Sequence, residues 1–308
     1  METDRTAAGG ATGDANGRPT RRRALKAFGA AGAALLAGCT VSGDVKRVSE
    51  SVEYTVAGSD VDEVSVSGDD GDTVVRGYDG DDIQVEATKY ALGDTDIADV
   101  TVTRDVVNGR LDVEAQIPDQ GGFGTFGGGL ESLEVKVPQG TTVTDVSVDD
   151  GDLELTDVSG DVTLDVDDGV ANVGPVDGFV EASADDGTVS LGAVDGVSAS
   201  VDDGTVEMAE PATVGDFDAD DGLLELAVAA LDEDVTISGD DGDITLQLAA
   251  DLDATVVVTS DESATIEYDG LLFEDVTTTE NRTTGTMGDG THDVTVDVDD
   301  GTVDVESL

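Results

Sequence analysis

The sequence predicts an all-β fold, a single-chain parallel β-solenoid (β-helix) built from two-strand rungs of about 18 residues. Three observations lead there. The tripeptide Asp-Asp-Gly begins at Asp69, Asp149, Asp167, Asp185, Asp202, Asp220, Asp240 and Asp299, and from Asp149 to Asp240 the steps are 18, 18, 17, 18 and 20 residues. Apolar residues keep register with it. Leu153, Ala171, Val189, Val206, Leu224 and Ile244 stand two places after the Gly; Leu155, Val173, Leu191, Met208, Leu226 and Leu246 stand four after; Val146, Leu164, Ala182, Ala199, Phe217 and Ile237 stand three before the first Asp. Between them lie mostly Asp, Thr, Ser and Glu, the alternation of a strand with one buried face. The rungs are also too short to hold the helical crossover of a βαβ sheet.

Each rung reads as strand, Asp-Asp-Gly turn, strand, second turn. The second turn is Val158-Ser-Gly-Asp161, Val176-Asp-Gly178 or Val194-Asp-Gly196. There Gly is expected to supply positive φ, and Asp to bond its own backbone. One rung cannot bury its apolar face alone. Stacking sets equivalent strands ~4.8 Å apart and merges the columns into one core. A meander sandwich is the alternative, because strands spaced every nine or so residues fit it too; the strict register favours the solenoid.

Five segments follow in order. Residues 1–38 read as a signal peptide. Residues 1–19 are small and polar and are expected to be disordered. Thr20-Arg-Arg-Arg-Ala-Leu-Lys26 is a charged n-region, and the apolar run from Ala27 to Gly38 is too short to span a bilayer. The run resembles a twin-arginine export signal with Arg21 and Arg22 as the pair, which implies export in the folded state. Leu36-Ala-Gly-Cys39 resembles a lipobox, in which Cys39 becomes the first mature residue and carries a thioether-linked lipid. Cys39 is the only Cys, and its thiol is the one side chain able to take that lipid. No later segment reaches the ~20 apolar residues of a membrane helix, so a diacyl lipid on Cys39 would be the membrane anchor.

Residues 39–50 are read as the linker from that anchor. Residues 51–147 form an irregular opening region with strands near 63–67, 73–77, 83–89, 100–104, 111–117 and 133–137. Its glycine-rich loop spells a nucleotide fingerprint, Gly122-Phe-Gly124-Thr-Phe-Gly127, but lacks the helix that signal requires. Residues 148–250 are the regular rungs. Residues 251–308 are C-terminal rungs and cap, with strands near 254–259 and 264–268 and a closing rung at 294–305.

Charge sets the function classes. The 308 residues hold 71 acidic and 14 basic groups, one His and no Trp, for a net charge of −57. Losing residues 1–38 would remove six cations and three acids and leave 8 basic and 68 acidic residues. Such a field repels phosphate backbones, so no nucleic-acid partner is expected. The acids alternate with apolar residues, so they form a solvated face and not a disordered tail. Excess Asp and Glu with scarce Lys resembles proteins of salt-loving archaea. Near 1 M salt the Debye length is about 3 Å and neighbouring carboxylates barely repel; in dilute buffer self-repulsion destabilises the compact state. Monovalent cations are therefore expected as diffuse screening.

Catalytic, metal and cofactor sites are not expected. Hard divalent cations bind carboxylate oxygens, and stacking would line up the Asp pairs. Yet the run Asp216-Phe-Asp-Ala-Asp-Asp-Gly222, which imitates a calcium loop, has Asp221 where the Gly is needed. With 71 acids, a carboxylate pair for sugar hydrolysis carries no information, and cations to clamp an acidic substrate are nearly absent. His292 is read as a surface residue. Asn281-Arg-Thr283 is an N-glycosylation sequon.

The run Leu133-Glu-Val-Lys-Val-Pro138-Gln-Gly140-Thr-Thr-Val143 resembles the putative adhesin domain family of β-solenoids. So do Val146-Ser-Val-Asp-Asp-Gly-Asp-Leu-Glu-Leu155, Val158-Ser-Gly-Asp-Val-Thr-Leu164 and the closing run from Gly290 to Val305. The resemblance covers most of residues 55–306 and implies a non-enzymatic, envelope-associated domain without a catalytic motif. The resulting expectation is a lipoprotein scaffold or adhesin-like module on the extracytoplasmic face of the cell membrane, with a surface protein or glycan as partner. An envelope sensor and a carbohydrate-active β-helix enzyme are the alternatives.

Overall fold

The computed structural model describes residues 36–40, 47–117, 127–209, 213–260, 265–269, 273–279 and 281–308. Arg21, Arg22 and most of the fingerprint-like loop lie outside them. Strands fill these residues, with two short 3-10 turns and no α-helix. Two sheets of 13 and 14 strands result. The strand before each Asp-Asp-Gly turn, the leading strand, joins the larger sheet; the trailing strand after it joins the smaller. Equivalent strands of successive rungs pair in parallel, as in Leu153↔Ala171↔Val189↔Val206↔Leu224↔Ile244. This is the parallel solenoid, and the antiparallel meander is excluded for these rungs.

The core lies between the sheets. All eighteen column residues named above are buried, from Leu164 and Leu155 at 0% exposure to Ala199 at 6%. Alternation explains it. Val162–Val166 reads buried, exposed, buried, exposed, buried, with Thr163 and Asp165 outward. Aliphatics suffice because each rung adds only a few side chains to a core that continues above and below it.

Spatial order departs from chain order at both ends. The rung of Glu63–Gly68 and Asp72–Tyr78 lies between Arg110–Gln116/Gly128–Pro138 and Thr142–Val148/Asp152–Thr156. The rung of His292–Val298 and Thr302–Ser307 is likewise inserted between Val235–Gly239/Asp243–Leu248 and Ala254–Ser260/Thr265–Asp269. The rung that closes the sequence is thus the penultimate one in the stack.

Antiparallel strands finish each end. Asp82–Leu92, Arg47–Ala57 and Leu36–Thr40 extend the trailing sheet beyond Gly128–Pro138, and Thr101–Val107 extends the leading sheet. At the other end, Arg282–Met287 and Glu274–Thr278 add a hairpin beside Ala254–Ser260. Hairpins can close an end with tight turns where a parallel strand would need another full rung. The strand from Arg47 begins within the segment read as linker, and Cys39 lies in Leu36–Thr40, opposite Val48.

Candidate functional site: an aspartate ladder

All eight Asp-Asp-Gly turns stack in one column. Two of them, at Asp69 and Asp299, stand 80 and 59 residues from their neighbours in sequence, and the inserted rungs bring them into line. The backbone ladder runs unbroken round the corner. The second Asp of each turn donates its N–H to the carbonyl of the first Asp of the turn below, from Asp150→Asp69 to Asp300→Asp240, in seven bonds of 2.7–3.0 Å. The first Asp and the residue after Gly add bonds of the same kind, such as Asp167 N→Val148 O at 3.1 Å and Thr188 N→Gly169 O at 2.9 Å. Main-chain groups at the edge are satisfied by one another, which leaves the carboxylates to solvent.

Glycine is required there by closeness, not by φ. A Cβ on Gly151 would lie 2.1 Å from the Gly71 carbonyl oxygen, and one on Gly169 2.4 Å from that of Gly151. Of the eight turn glycines only Gly71 and Gly301 have positive φ. The second turns correct the expectation in the same way. Gly160 is at φ +116, but Gly178 is not in the left-handed region; a Cβ there would meet the Gly160 carbonyl at 2.1 Å. Asp161 bonds not its own backbone but the Phe179 N–H one rung above, at 3.1 Å.

The electrostatics are one-sided. Partial desolvation, and then the neighbouring carboxylates, hold Asp149, Asp168, Asp220 and Asp241 above the usual aspartate range. At the foot of the ladder Asp70 is pushed up chiefly by burial, although its carboxylate accepts the Leu130 N–H at 2.7 Å. Asp69 accepts the N–H of Ile117 at 3.1 Å. These two aspartates tie the ladder to the flanks of the glycine-rich segment.

Cations gather at the same end. Arg76 and Lys136 both reach Glu134, at 2.7 and 3.3 Å, and Arg110 bridges Asp112 and Asp145 at 2.7 and 2.9 Å. Burial pushes the Glu134 carboxyl up, but these two partners outweigh it and leave it below the usual range. Lys89 is buried and donates to the carbonyls of Ile97 and Val100. From residue 137 onward the sequence has one cation, Arg282. Most of the ladder therefore has no basic side chain in its own stretch of sequence.

Among the described residues no three His, Cys, Asp or Glu side chains converge as metal ligands would. The calcium-loop imitation fails for a physical reason: Thr213–Ala219 is a strand, and Asp216 accepts the Thr236 N–H of the next rung at 2.9 Å. His292 is half-buried in a leading strand. Asn281 is half-buried between Glu274–Thr278 and Arg282–Met287, and its carbonyl accepts the Ser260 N–H at 3.1 Å. Thr283 of the sequon is buried, and its hydroxyl donates to that of Thr278.

Sequence reasoning missed a shallow groove of about 480 Å³ on the trailing sheet, lined by Glu154, Thr156, Asn172, Val173, Gly174, Ser190, Leu191 and Gly192. Its signal was a gap in charge, since Val170–Val173 and Thr188–Leu191 contain no acid.

Several solved structures are similar in fold. One is of a putative lipid binding protein from Parabacteroides distasonis, at 13% identity and TM-score 0.49, covering 83% of this chain and 96% of that one. Another is of a putative adhesin from Bacteroides fragilis, at 13% identity and TM-score 0.46, covering 86% and 98%. A third is of a putative adhesin from Parabacteroides merdae, at 14% identity and TM-score 0.43, covering 83% and 95%. No curated protein matches the chain. The family match extends from the strand that holds Cys39 to the inserted C-terminal rung: residues 36–306 fit the Toastrack DUF4097 description, and the chain belongs to that family.

Proposed function

We propose that the protein is a non-enzymatic, adhesin-like surface module, held to the extracytoplasmic face of the cell membrane by a lipid on Cys39. One observation carries the reading. Among the described residues, the strand containing Cys39 is the outermost strand of the trailing sheet at one end, and Thr265–Asp269 is outermost at the other. Twelve inter-strand steps of ~4.8 Å separate them, roughly 58 Å. Cleavage before Cys39 would leave that residue opposite Val48 and Thr40 opposite Arg47. An anchor there would set the ion-paired end nearest the membrane and carry the Asp-Asp-Gly ladder away from it.

Eight copies of one turn along a rigid edge suit many weak contacts made together, because linked sites convert later contacts into intramolecular ones. The partner is a surface protein or glycan that tolerates an anionic edge, not a nucleic acid. Monovalent cations from the medium screen the ladder. Export follows the twin-arginine route through Arg21 and Arg22. Lipid labelling with membrane fractionation tests the anchor: label and membrane association are expected for the wild type and lost in Cys39→Ser. A labelled Cys39→Ser protein would refute the anchor. Deleting the gene should reduce cell–cell or cell–surface adhesion; unchanged adhesion would refute that role.

A further inference from the structure

The rung of His292–Val298 and Thr302–Ser307 fills a slot between rungs that are consecutive in sequence. It runs parallel to the leading strands Val235–Gly239 and Ala254–Ser260 and to the trailing strands Asp243–Leu248 and Thr265–Asp269. To make room for it, residues 249–253 climb two rungs instead of one, ~9.6 Å at ~4.8 Å per step. The rung is joined to the rest of residues 36–308 by one connection, residues 288–291.

That connection has the makings of a hinge. Gly288 and Gly290 sit at φ +63 and +67. One side chain holds it: the Asp253 carboxylate accepts the Thr291 N–H at 3.0 Å and the Thr291 hydroxyl at 2.7 Å. Beyond the hinge the slot recognises backbone register and a turn. Asp300 N–H bonds Asp240 O at 2.7 Å, Asp293 N–H bonds the Asp234 carboxylate at 2.9 Å, and Thr302 N–H bonds the Asp243 carboxylate at 3.0 Å. None of these contacts depends on which chain supplies the rung.

We propose that the 292–307 rung exchanges between two copies of this chain at the 288–291 hinge, each copy filling the other's slot. The occupant is a second copy because the slot demands a matched set. It needs apolar residues in five columns, here Val294, Val296, Val298, Val303 and Val305. It also needs an Asp-Asp-Gly turn whose Gly301, at φ +102, accommodates the Gly242 carbonyl. Closed and exchanged forms share every contact of the rung. They differ in the hinge and in the freedom lost on association, so exchange grows with concentration, and the Asp253–Thr291 bonds favour the closed form. Reciprocal exchange closes under two-fold symmetry and stops at a dimer. The proposal does not depend on the lipid anchor.

The test uses the full chain with Cys39→Ser, Thr245→Cys and Asp304→Cys. Residues 245 and 304 are register partners across the slot wall, and both are partly exposed. A short bismaleimide joins them within one chain in the closed form and between chains in the exchanged form. After unfolding and refolding in molar KCl, denaturing gels should show intrachain links at low protein concentration. Interchain dimers should grow as the refolding concentration rises. Adding Asp253→Ala, which removes two hydrogen bonds to a charged group, should raise the dimer-to-monomer ratio about tenfold at fixed concentration. A second variant lacking residues 289 and 290 has too short a hinge to reach its own slot and should be dimeric even when refolded dilute. Intrachain links alone at every concentration overturn the proposal, as does a short-hinge variant that stays monomeric or does not fold.

Discussion

Gly151→Ala tests whether close stacking of the turns holds the ladder together. Gly151 is not in the left-handed region, so alanine suits its φ. By the unfolded-state argument alone the substitution should stabilise by about 0.4–1 kcal/mol. The structure predicts the opposite sign. The new Cβ would lie 2.1 Å from the Gly71 carbonyl oxygen and 3.2 Å from its carbon. Relief requires the two turns to part by about 1 Å, because ordinary Cβ contacts begin beyond 3.4 Å. The Asp150 N–H to Asp69 O bond of 2.9 Å spans that junction, flanked by the pairs Val148↔Gly68 and Asp152↔Asp72. Weakening two or three such bonds at ~0.5–1.5 kcal/mol each costs about 2–4 kcal/mol. For a domain of this size that lowers Tm by roughly 5–12 °C. Melting followed by circular dichroism in molar KCl measures it. Gly192→Ala is the control, since its Cβ would come no nearer than 3.1 Å to its first neighbour, the Val173 carbonyl oxygen, and 3.9 Å to the Gly174 Cα; its melt should move far less. A Gly151→Ala protein as stable as the wild type, or more so, would refute the stacking argument.

Three other outcomes follow from single observations. Thr73 is 1% exposed, its hydroxyl has no hydrogen-bond partner among the described residues, and it lies beside Leu133 and Leu153. Thr73→Val should therefore stabilise by about 1–2 kcal/mol in chemical denaturation, and a loss of stability would show that the hydroxyl is needed. Leu164→Ala, at a fully buried column position, should destabilise by about 2–5 kcal/mol; a change under ~1 kcal/mol would mean that the column is not core. The raised carboxyls of Asp70, Asp149, Asp168, Asp220 and Asp241 make the folded state bind protons more tightly than the unfolded chain. Their contribution is complete below the ordinary aspartate value of about 3.9 and is lost as pH rises through the raised values. In low salt these groups should thus raise Tm as pH falls through the raised values toward the ordinary aspartate value of about 3.9. Glu134 and Asp253 are held below the usual range and oppose this only at lower pH. Molar KCl should flatten the part due to charge repulsion. A low-salt Tm with no such rise as pH falls toward the ordinary aspartate value would contradict the ladder electrostatics.

The core was legible because its signal was local and repeated. The fixed period and strict alternation marked every column residue, and the strands expected in the opening region correspond to Glu63–Gly68, Asp72–Tyr78, Asp82–Leu92, Thr101–Val107, Arg110–Gln116 and Gly128–Pro138. The strand Arg47–Ala57 was not expected, because Ser49, Glu50 and Ser51 interrupt its apolar positions. Its partner Asp82–Leu92 supplies the burial that the strand's own sequence does not advertise. The groove at Asn172 and Ser190 left only a gap in charge as its mark, since it arises from side chains in three rungs that are individually unremarkable.

Rung order at the ends was not read from the sequence either, yet the turns contain the rule that decides it. An Asp-Asp-Gly turn stacks on the next because each Gly leaves room for the carbonyl of the Gly below it. Gly169 meets Gly151 O, Gly204 meets Gly187 O, and Gly301 meets Gly242 O. A turn with a side chain in that position cannot enter the interior of such a column without prising two rungs apart. The rung of Arg110–Gln116 and Gly128–Pro138 has no Asp-Asp-Gly turn, nor does that of Ala254–Ser260 and Thr265–Asp269, where the sequence between the strands is Asp-Glu-Ser-Ala. Both lie outside the ladder, one at each end. The rungs at Asp69 and Asp299, which do have the tripeptide, lie inside it although sequence order would exclude them. Turn identity, acting through main-chain contact, therefore outranks chain order in building the stack. It also explains why so many like charges share one edge. The glycine that lets the turns approach fixes the spacing of the carboxylates beside it, so the charge density of the ladder is set by how closely its backbone can pack.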